Sequence, residues 1–327
     1  MNTFGRVFRV SVFGESHGEK IGAVIDGVPA GIELSVEDFT ADIARRKSGA
    51  KGTTPRTEAD VPVLVSGVFK GKTTGAPLTI LFANENVRSE DYSQFVDHPR
   101  PGHADLTGAV KFSGFNDPRG GGHFSGRLTA AVVAAGVVAK KVLSGVSLEA
   151  KLVELGGEKD ELRWSAMLDE AIAEGDSLGA VVECRTDGLP AGLGEPFFDS
   201  VESVMAHAMF AVPGVRGVEF GDGFAAAGMK GSEHNDMIVN EKGETSTNGA
   251  GGVNGGISNG NQIVFRLAFK PTSTIRKEQN TYNFKSGQME NLAGRGRHDV
   301  CFALRTPAVV EAMAAIVFAD FLCLQNR

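Results

Sequence analysis

Five of the chain's seven histidines fall in polar segments rich in glycine or proline: His17, His98, His103, His123 and His298. His207 sits in a helical pattern and reads as structural, while His234 fits either description. Loops carried on a rigid scaffold are where catalytic groups concentrate, and histidine is the side chain suited to proton transfer near neutral pH. The basic residues gather in the same places. Arg45, Arg46, Lys47, Lys51 and Arg56 close one helical stretch and enter its loop. Arg100, Arg119, Arg127, Lys270, Arg295, Arg297 and Arg305 flank the other histidine segments. Taken alone they describe a solvated positive face. Beside loop histidines, in a chain of net charge −7, they favour a pocket for a ligand with several anionic groups, because guanidinium forks match carboxylate and phosphate.

Familiar motifs fail on spacing. Gly67 to Thr73 has three residues between its glycines where a P-loop needs four, and a turn and strand follow it rather than a helix. Gly120 to Gly126 puts Ser125 where a dinucleotide fingerprint needs its third glycine. His98 and His103 are five apart with Pro99 and Pro101 around them, which is not the helical i, i+4 metal pair. No metal site is expected.

The 327 residues, 42% of them hydrophobic, suffice for one large domain or two ordinary ones. Net charge −7 and a pI near 5.6 argue against nucleic acid or a membrane surface as partner. Cys184, Cys301 and Cys323 form no CxxC pair, so a reducing, cytoplasmic location is expected rather than a disulfide framework. The first residues alternate in β fashion and lack the apolar core of a signal peptide. Leu128 to Leu143 is apolar but short of the ~20 residues that span a bilayer, and reads as a core helix.

The elements that must hold these groups show an internal echo. IGAVIDGVPAG (21–31) resembles LGAVVECRTDGLPAG (178–192), each followed by a helical stretch, 35–47 and 199–210. SGVFKGKTTGAP (66–77) and RGVEFGDGFAAAG (216–228) then match in the same order. Two duplicated halves, about 1–145 and 146–327, are the reading. Strands are expected at 6–13, 21–27, 61–68, 77–83, 178–185 and 262–269. Ser35 with Asp38 marks a capped helix whose inner face carries Val36, Phe39 and Ile43. Helices are also expected at 128–143 and from Thr306-Pro307 to about 324. The fold class is α+β, a layered sandwich without Rossmann alternation. The glycine-rich stretch 243–260 feeds a strand, so it is expected to wrap a ligand and to become ordered with it.

FGESHG (13–18), RPGHAD (100–105), RGGG (119–122), KPTST (270–274) and GRHD (296–299) resemble, in order, the signature segments of chorismate synthases. The resemblance runs from Phe4 to the last helix. It implies a β-α-β sandwich assembled as a homotetramer, and a lyase that takes phosphate from 5-enolpyruvylshikimate 3-phosphate by 1,4-anti elimination. It further implies reduced FMN as cofactor, supplied with electrons by an external reductant. Carried over residue by residue, His103 protonates the departing phosphate and His17 holds a proton near the flavin. Asp299 with Ser16 relays a proton through the flavin N5. Arg46, Lys51, Arg127 and Arg305 clamp the substrate. His123, Phe124, Ser125, Gly255, Lys270, Pro271, Thr272, Ser273, Thr274 and Arg297 bind the flavin. Many members read Arg-Ser-Ser-Ala-Arg-Glu-Thr where this chain has HFSGRLT (123–129), so His123 replaces an always charged group with one that titrates. Val300 stands where many have proline. A flavin reductase using NADPH and a non-catalytic anion binder are the competing readings. Bleaching of bound flavin by NADPH alone, or tight binding without phosphate release, would mark them.

Overall fold

A computed structural model describes residues 2–87, 89–294 and 298–325. The first sheet contains β1 (Arg9–Gly14), β2 (Lys20–Asp26), β3 (Val63–Ser66) and β4 (Leu78–Ala83), antiparallel in the order β1-β2-β4-β3. A two-residue strand, Thr3–Phe4, extends it beside β1. Alternation decides its inner face. The cross-strand pairs Ile21–Phe82, Ala23–Ile80 and Ile25–Leu78 are all buried. They face α2 (Thr129–Val142), against which α1 (Thr40–Arg46) also packs.

The second sheet contains β5 (Ser147–Leu155), β6 (Ala180–Asp187), β7 (Val215–Phe220) and β8 (Ile263–Phe269), in the order β5-β6-β8-β7. Its strand order along the chain repeats that of the first sheet. In both, a helix follows the second strand and another follows the fourth. In the first half these are α1 and α2; in the second they are α4 (Val201–Phe210) and α5 (Pro307–Gln325). An extra helix, α3 (Glu161–Glu174), between β5 and β6 has no counterpart. Of the echoing peptides, 21–31 carries most of β2 and 178–192 contains β6, in equal places, whereas 66–77 follows β3 and 216–228 carries most of β7.

The helices hold the halves together. α2 packs on α5, and a Cβ at Gly136 would lie 2.2 Å from that of Ala312, so only glycine permits this approach. α5 is long and apolar enough to cross a membrane, yet 78% of that stretch is buried in the fold against α2, α4 and β5. Inside α5, Glu311 is 1% exposed and is met by an Arg45 fork at 2.6 and 2.7 Å, Lys140 at 3.0 Å and the Ala150 N–H at 2.8 Å. Asp320, further along, accepts the N–H groups of Arg6, Val7 and Phe8.

Burial works to raise the Glu311 carboxyl, but the Arg45 hydrogen bonds, Lys140 and the Ala150 N–H outweigh it and hold it below its usual value. A lowered carboxylate stabilises the fold above its unfolded-state value and loses that contribution as pH falls. Glu311→Gln should therefore cost about 3 kcal/mol at pH 7, and the gap to the parent chain should narrow below about pH 4.5. Urea midpoints at pH 7 and pH 4 measure both. An equal gap at the two values would show that the charge contributes nothing.

Several expectations need correction. The stretch 35–47 is a 3-10 turn, Val36–Phe39, followed by α1, and Val36 is 38% exposed rather than on the inner face. The Asp38 carboxylate does accept the Ser35 N–H, at 2.7 Å. α5 begins at Pro307, but the Thr306 hydroxyl donates backward to the Ala303 carbonyl. The 243–260 stretch is tied into the fold by its own contacts. Asp236 accepts from the Thr247 hydroxyl and the Gly249 and Ala250 N–H groups at 2.7 to 2.9 Å, and Asn248 donates to the Gln262 carbonyl.

Candidate active site

A cavity of about 730 Å3 opens between the two halves, a size ordinary for small-molecule sites (~300–1,000 Å3). Its walls come from the loop after α1, the 100–104 turn, the glycine run before α2, the segment after β8 and the approach to α5. One end is apolar, with Val10, Val12, Val132, Val309, Met313 and Ile316. The other is strongly cationic. Among the described lining residues, Arg46, Lys47, Arg56, Arg100, Arg127, Lys270 and Arg305 face only Glu58, Asp60 and Asp299.

The buried centre of this charge is Arg46. The last turn of α1 aims its guanidinium inward, where Nε donates to Thr129 at 2.9 Å and NH2 to the Gly126 carbonyl at 2.9 Å. Asp60 lies between Arg46 and Arg127, 3.4 Å from the first and in direct contact with the second. It takes up a left-handed backbone at φ 49°, rare for a residue with a side chain. Arg127 also donates to Asn84 and to the Ala83 carbonyl, at 2.8 and 2.9 Å. Burial, with Arg305 and Arg127 nearby, pushes Arg46 down to about 9, against the pull of Asp60 and Asp299. Arg46 remains protonated at neutral pH, in a site short of negative charge. An anionic ligand would supply it.

The histidines stand on the glycine run. Gly120, Gly121 and Gly122 all have positive φ, 61°, 79° and 53°. A Cβ at Gly120 would lie 2.5 Å from the His17 ring and 2.8 Å from the Ser16 hydroxyl; one at Gly121 would lie 3.5 Å from His103 Nε2. His103 lines the cavity, with Nδ1 2.6 Å from Asp105. His17 and Ser16 lie in the layer behind. His17 meets the Tyr92 ring edge-on at 5.3 Å, and Ser16 accepts from Arg56 at 3.0 Å. Arg56 is in turn paired with Glu58 at 2.7 Å. Asp299 faces the cavity and accepts from Arg305 at 2.8 and 3.1 Å and from the Thr54 N–H at 2.8 Å.

The expected cofactor segment is partly assembled. Lys270, Thr272, Ser273 and Thr274 line the cavity, as do His123, Phe124 and Ser125. Lys270 donates to Ser273 at 2.8 Å and to the Gly102 carbonyl, tying this segment to the His103 turn. Burial and the charge of Arg216 lower its ammonium from the usual lysine range. The buried Thr272 hydroxyl has no hydrogen-bond partner among the described residues. His123 Nδ1 lies 2.8 Å from the Gly14 carbonyl, which fixes the proton on that nitrogen. Ser125 caps the Arg127 N–H at 3.3 Å.

Other expected residues lie elsewhere. Lys51 Nζ bonds Asp169 at 2.6 Å and Ser165 at 2.9 Å, on α3 and away from the cavity. Pro271 packs toward Gly179, and Gly255 is exposed in the turn between Val253–Asn254 and Ile257–Ser258. Arg297 lies outside the described residues. His98 is structural, 3.2 Å from the Thr281 carbonyl. His207, read as structural, lines the apolar end, and His298 lines the wall near Tyr92. Tyr92 and Asp60 were absent from the expected set, and no motif in the sequence marks either.

A family model described as "Chorismate synthase" matches residues 8–323. A chorismate synthase of Chitinophaga pinensis is 60% identical, covering 100% of this chain and 98% of the relative. One from Dehalococcoides mccartyi is 44% identical over 98% of this chain and 96% of its own length. A solved structure titled "Crystal Structure of Chorismate Synthase" superposes with a TM-score of 0.75 at 28% identity, over 98% of this chain and 93% of that one. With the cationic cavity and loop histidines in these places, the chain belongs to the chorismate synthase family, whose members are lyases of the shikimate pathway.

Proposed function

We propose that this cavity binds 5-enolpyruvylshikimate 3-phosphate beside reduced FMN and eliminates phosphate to leave chorismate. The observation that carries the reading is the excess of buried and half-buried guanidinium around one histidine whose Nδ1 is tied to a carboxylate. Arg46, Arg127 and Arg305 clamp the substrate's anionic groups; among the described residues only Asp60, shared by Arg46 and Arg127, and Asp299, on Arg305, form ion pairs with them. Lys51 takes no part in this clamp, because it is engaged with α3.

The residues present suit a flavin phosphate and ring. The unpartnered Thr272 hydroxyl, with Lys270, Ser273 and Ser125, offers donors, while Phe124 and the apolar end offer a surface for a ring system. When bound, reduced FMN lends electron density to the substrate and recovers it, so no net oxidation occurs. His103 gives its Nε2 proton to the departing phosphate, and the guanidiniums stabilise the charge that develops there. Asp299, oriented by Arg305 and the Thr54 N–H, moves the proton that leaves the ring, and His17 holds a proton behind Gly120.

The same reading takes the two equally ordered sheets and the helices between them as duplicated halves of a β-α-β sandwich. It takes the enzyme as a cytoplasmic homotetramer supplied by an external reductant. Phe115, Phe198 and Phe224, each at least 84% exposed, support assembly.

Anaerobic incubation of the enzyme with substrate, FMN and dithionite is the test. One phosphate and one chorismate should appear per turnover without matching loss of reductant, and none with oxidised flavin. One reductant consumed per product would make the enzyme an oxidoreductase instead. Tight substrate binding without phosphate release would make it a binder.

A further inference from the structure

The turn 100–105 brings Arg100, His103 and Asp105 together within six residues. Arg100 grips Asp105 through Nε at 2.7 Å, NH2 at 2.7 Å and its backbone N–H at 3.1 Å. The guanidinium is itself fixed, 4.4 Å from the Phe95 ring centre, 5.7 Å from that of Tyr92 and 3.1 Å from the Thr274 hydroxyl. Its side chain is 5% exposed and that of Asp105 is 10% exposed. Burial acts to raise the Asp105 carboxyl, but the hydrogen bonds and charges of Arg100 and His103 hold it well below the usual carboxylate range. Asp105 is therefore ionised at neutral pH, and its Oδ1 lies 2.6 Å from His103 Nδ1.

Arg100 NH2 also lies 3.0 Å from that Nδ1. Both cannot be partners. A guanidinium only donates, so it could bond Nδ1 only if that nitrogen carried no proton. The nearer, anionic Asp105 decides the competition and keeps the proton on Nδ1. The opposite edge of the ring, Cε1 and Nε2, lies over Gly121, 3.5 Å from where a Cβ would stand. Apart from Asp117 beside it and Glu58, Asp60 and Asp299 in the cavity wall, the charged groups that share a wall with His103 are cationic. Lys270 reaches the Gly102 carbonyl, and Arg46, Arg56, Arg127 and Arg305 line the same cavity.

We propose that Asp105, clamped by Arg100, is the positioning residue that keeps His103 protonated on Nδ1 and reserves Nε2 for the substrate. The inference rests on the reading of His103 as the acid. Before that step Nε2 of the resting Nδ1–H ring takes a proton from solvent; the allylic C–O bond then breaks with its electron pair going to phosphate, the Nε2 proton follows to a phosphate oxygen, and the imidazolium returns to the neutral Nδ1–H tautomer. Asp105 orients that ring throughout and never gives up a proton itself.

Asp105→Asn separates charge from shape. Arg100 would claim the new amide oxygen, leaving the amide NH2 to face Nδ1 and forcing the histidine proton to Nε2. Nitrogen NMR of the histidine-labelled, ligand-free protein reads the tautomer directly. His103 should be Nδ1–H in the parent chain and Nε2–H in Asp105→Asn. Turnover should fall about 10- to 100-fold, with KM changed by less than about threefold. The parent spectrum tests the idea even if the variant fails to fold, since an Nε2–H parent overturns it. An unchanged tautomer in Asp105→Asn overturns the positioning role and leaves His103 as acid. A switched tautomer with unchanged turnover removes His103 from catalysis, and the proposal with it.

Discussion

His103→Ala should release phosphate at least about 10²-fold more slowly than the parent chain, the usual scale for a positioned proton donor. The departing phosphate needs a proton at the moment its bond breaks, and His103 is a cavity-lining histidine with its far nitrogen held by a carboxylate. Substrate affinity should fall much less, because Arg46, Arg127 and Arg305 carry the anion. A rise in KM at unchanged turnover would reassign His103 to binding. His17→Ala should lose a comparable factor for a different reason. It touches Gly120 and Tyr92 rather than the cavity, so its loss should also weaken flavin binding. Rates of phosphate release and flavin titrations, measured on both variants, separate the two roles. Near-normal turnover in either would refute its assignment.

Arg46→Ala should be the most damaging single change in the clamp. It strips Asp60 of one of its two guanidiniums while that carboxylate stays 6% exposed, and it removes the donor to the Thr129 hydroxyl and one of the two donors to the Gly126 carbonyl. Removing one partner of a buried pair costs about 3–5 kcal/mol. Arg46→Lys should recover little, because an ammonium cannot fill three directions of a planar fork. Substrate affinity should fall with stability, by about tenfold or more for a lost charge-assisted contact. Lys51→Ala is the control. It sits five residues along the same basic run but bonds Asp169, so substrate affinity should hardly change. Denaturation midpoints and substrate titrations on the three variants decide it. Equal losses of affinity in Arg46→Ala and Lys51→Ala would return Lys51 to the site.

This contrast shows where sequence reading reaches its limit. Both residues belong to one basic cluster, and only the path of the chain after α1 turns one inward and the other toward α3. The strands and buried helices were legible because alternation and long apolar runs report burial directly, as in Ile21, Ala23 and Ile25. The strand β5 and the amphipathic helix α3 carried weaker signals and went unread. At the site, motif residues such as His103 and Lys270 were legible as blocks. Asp60 was not, since its partner Arg127 is 67 residues away and its left-handed backbone has no residue-type marker. In the 243–260 stretch glycine content reports conformational freedom without saying what uses it, and part of it serves the tight turns around Asp236.

The grip of Asp320 on residues 6–8 bears on how the enzyme should be handled. Asn2, Thr3 and Phe4 line the apolar end of the cavity, and Asp320 anchors the chain just beyond them. A purification tag or fusion partner joined at the amino end would pull on a wall of the binding cavity, with its lever arm pinned only a few residues away. Joined at the carboxyl end, the same tag would load a helix whose last described residues, 321–325, take no part in that wall.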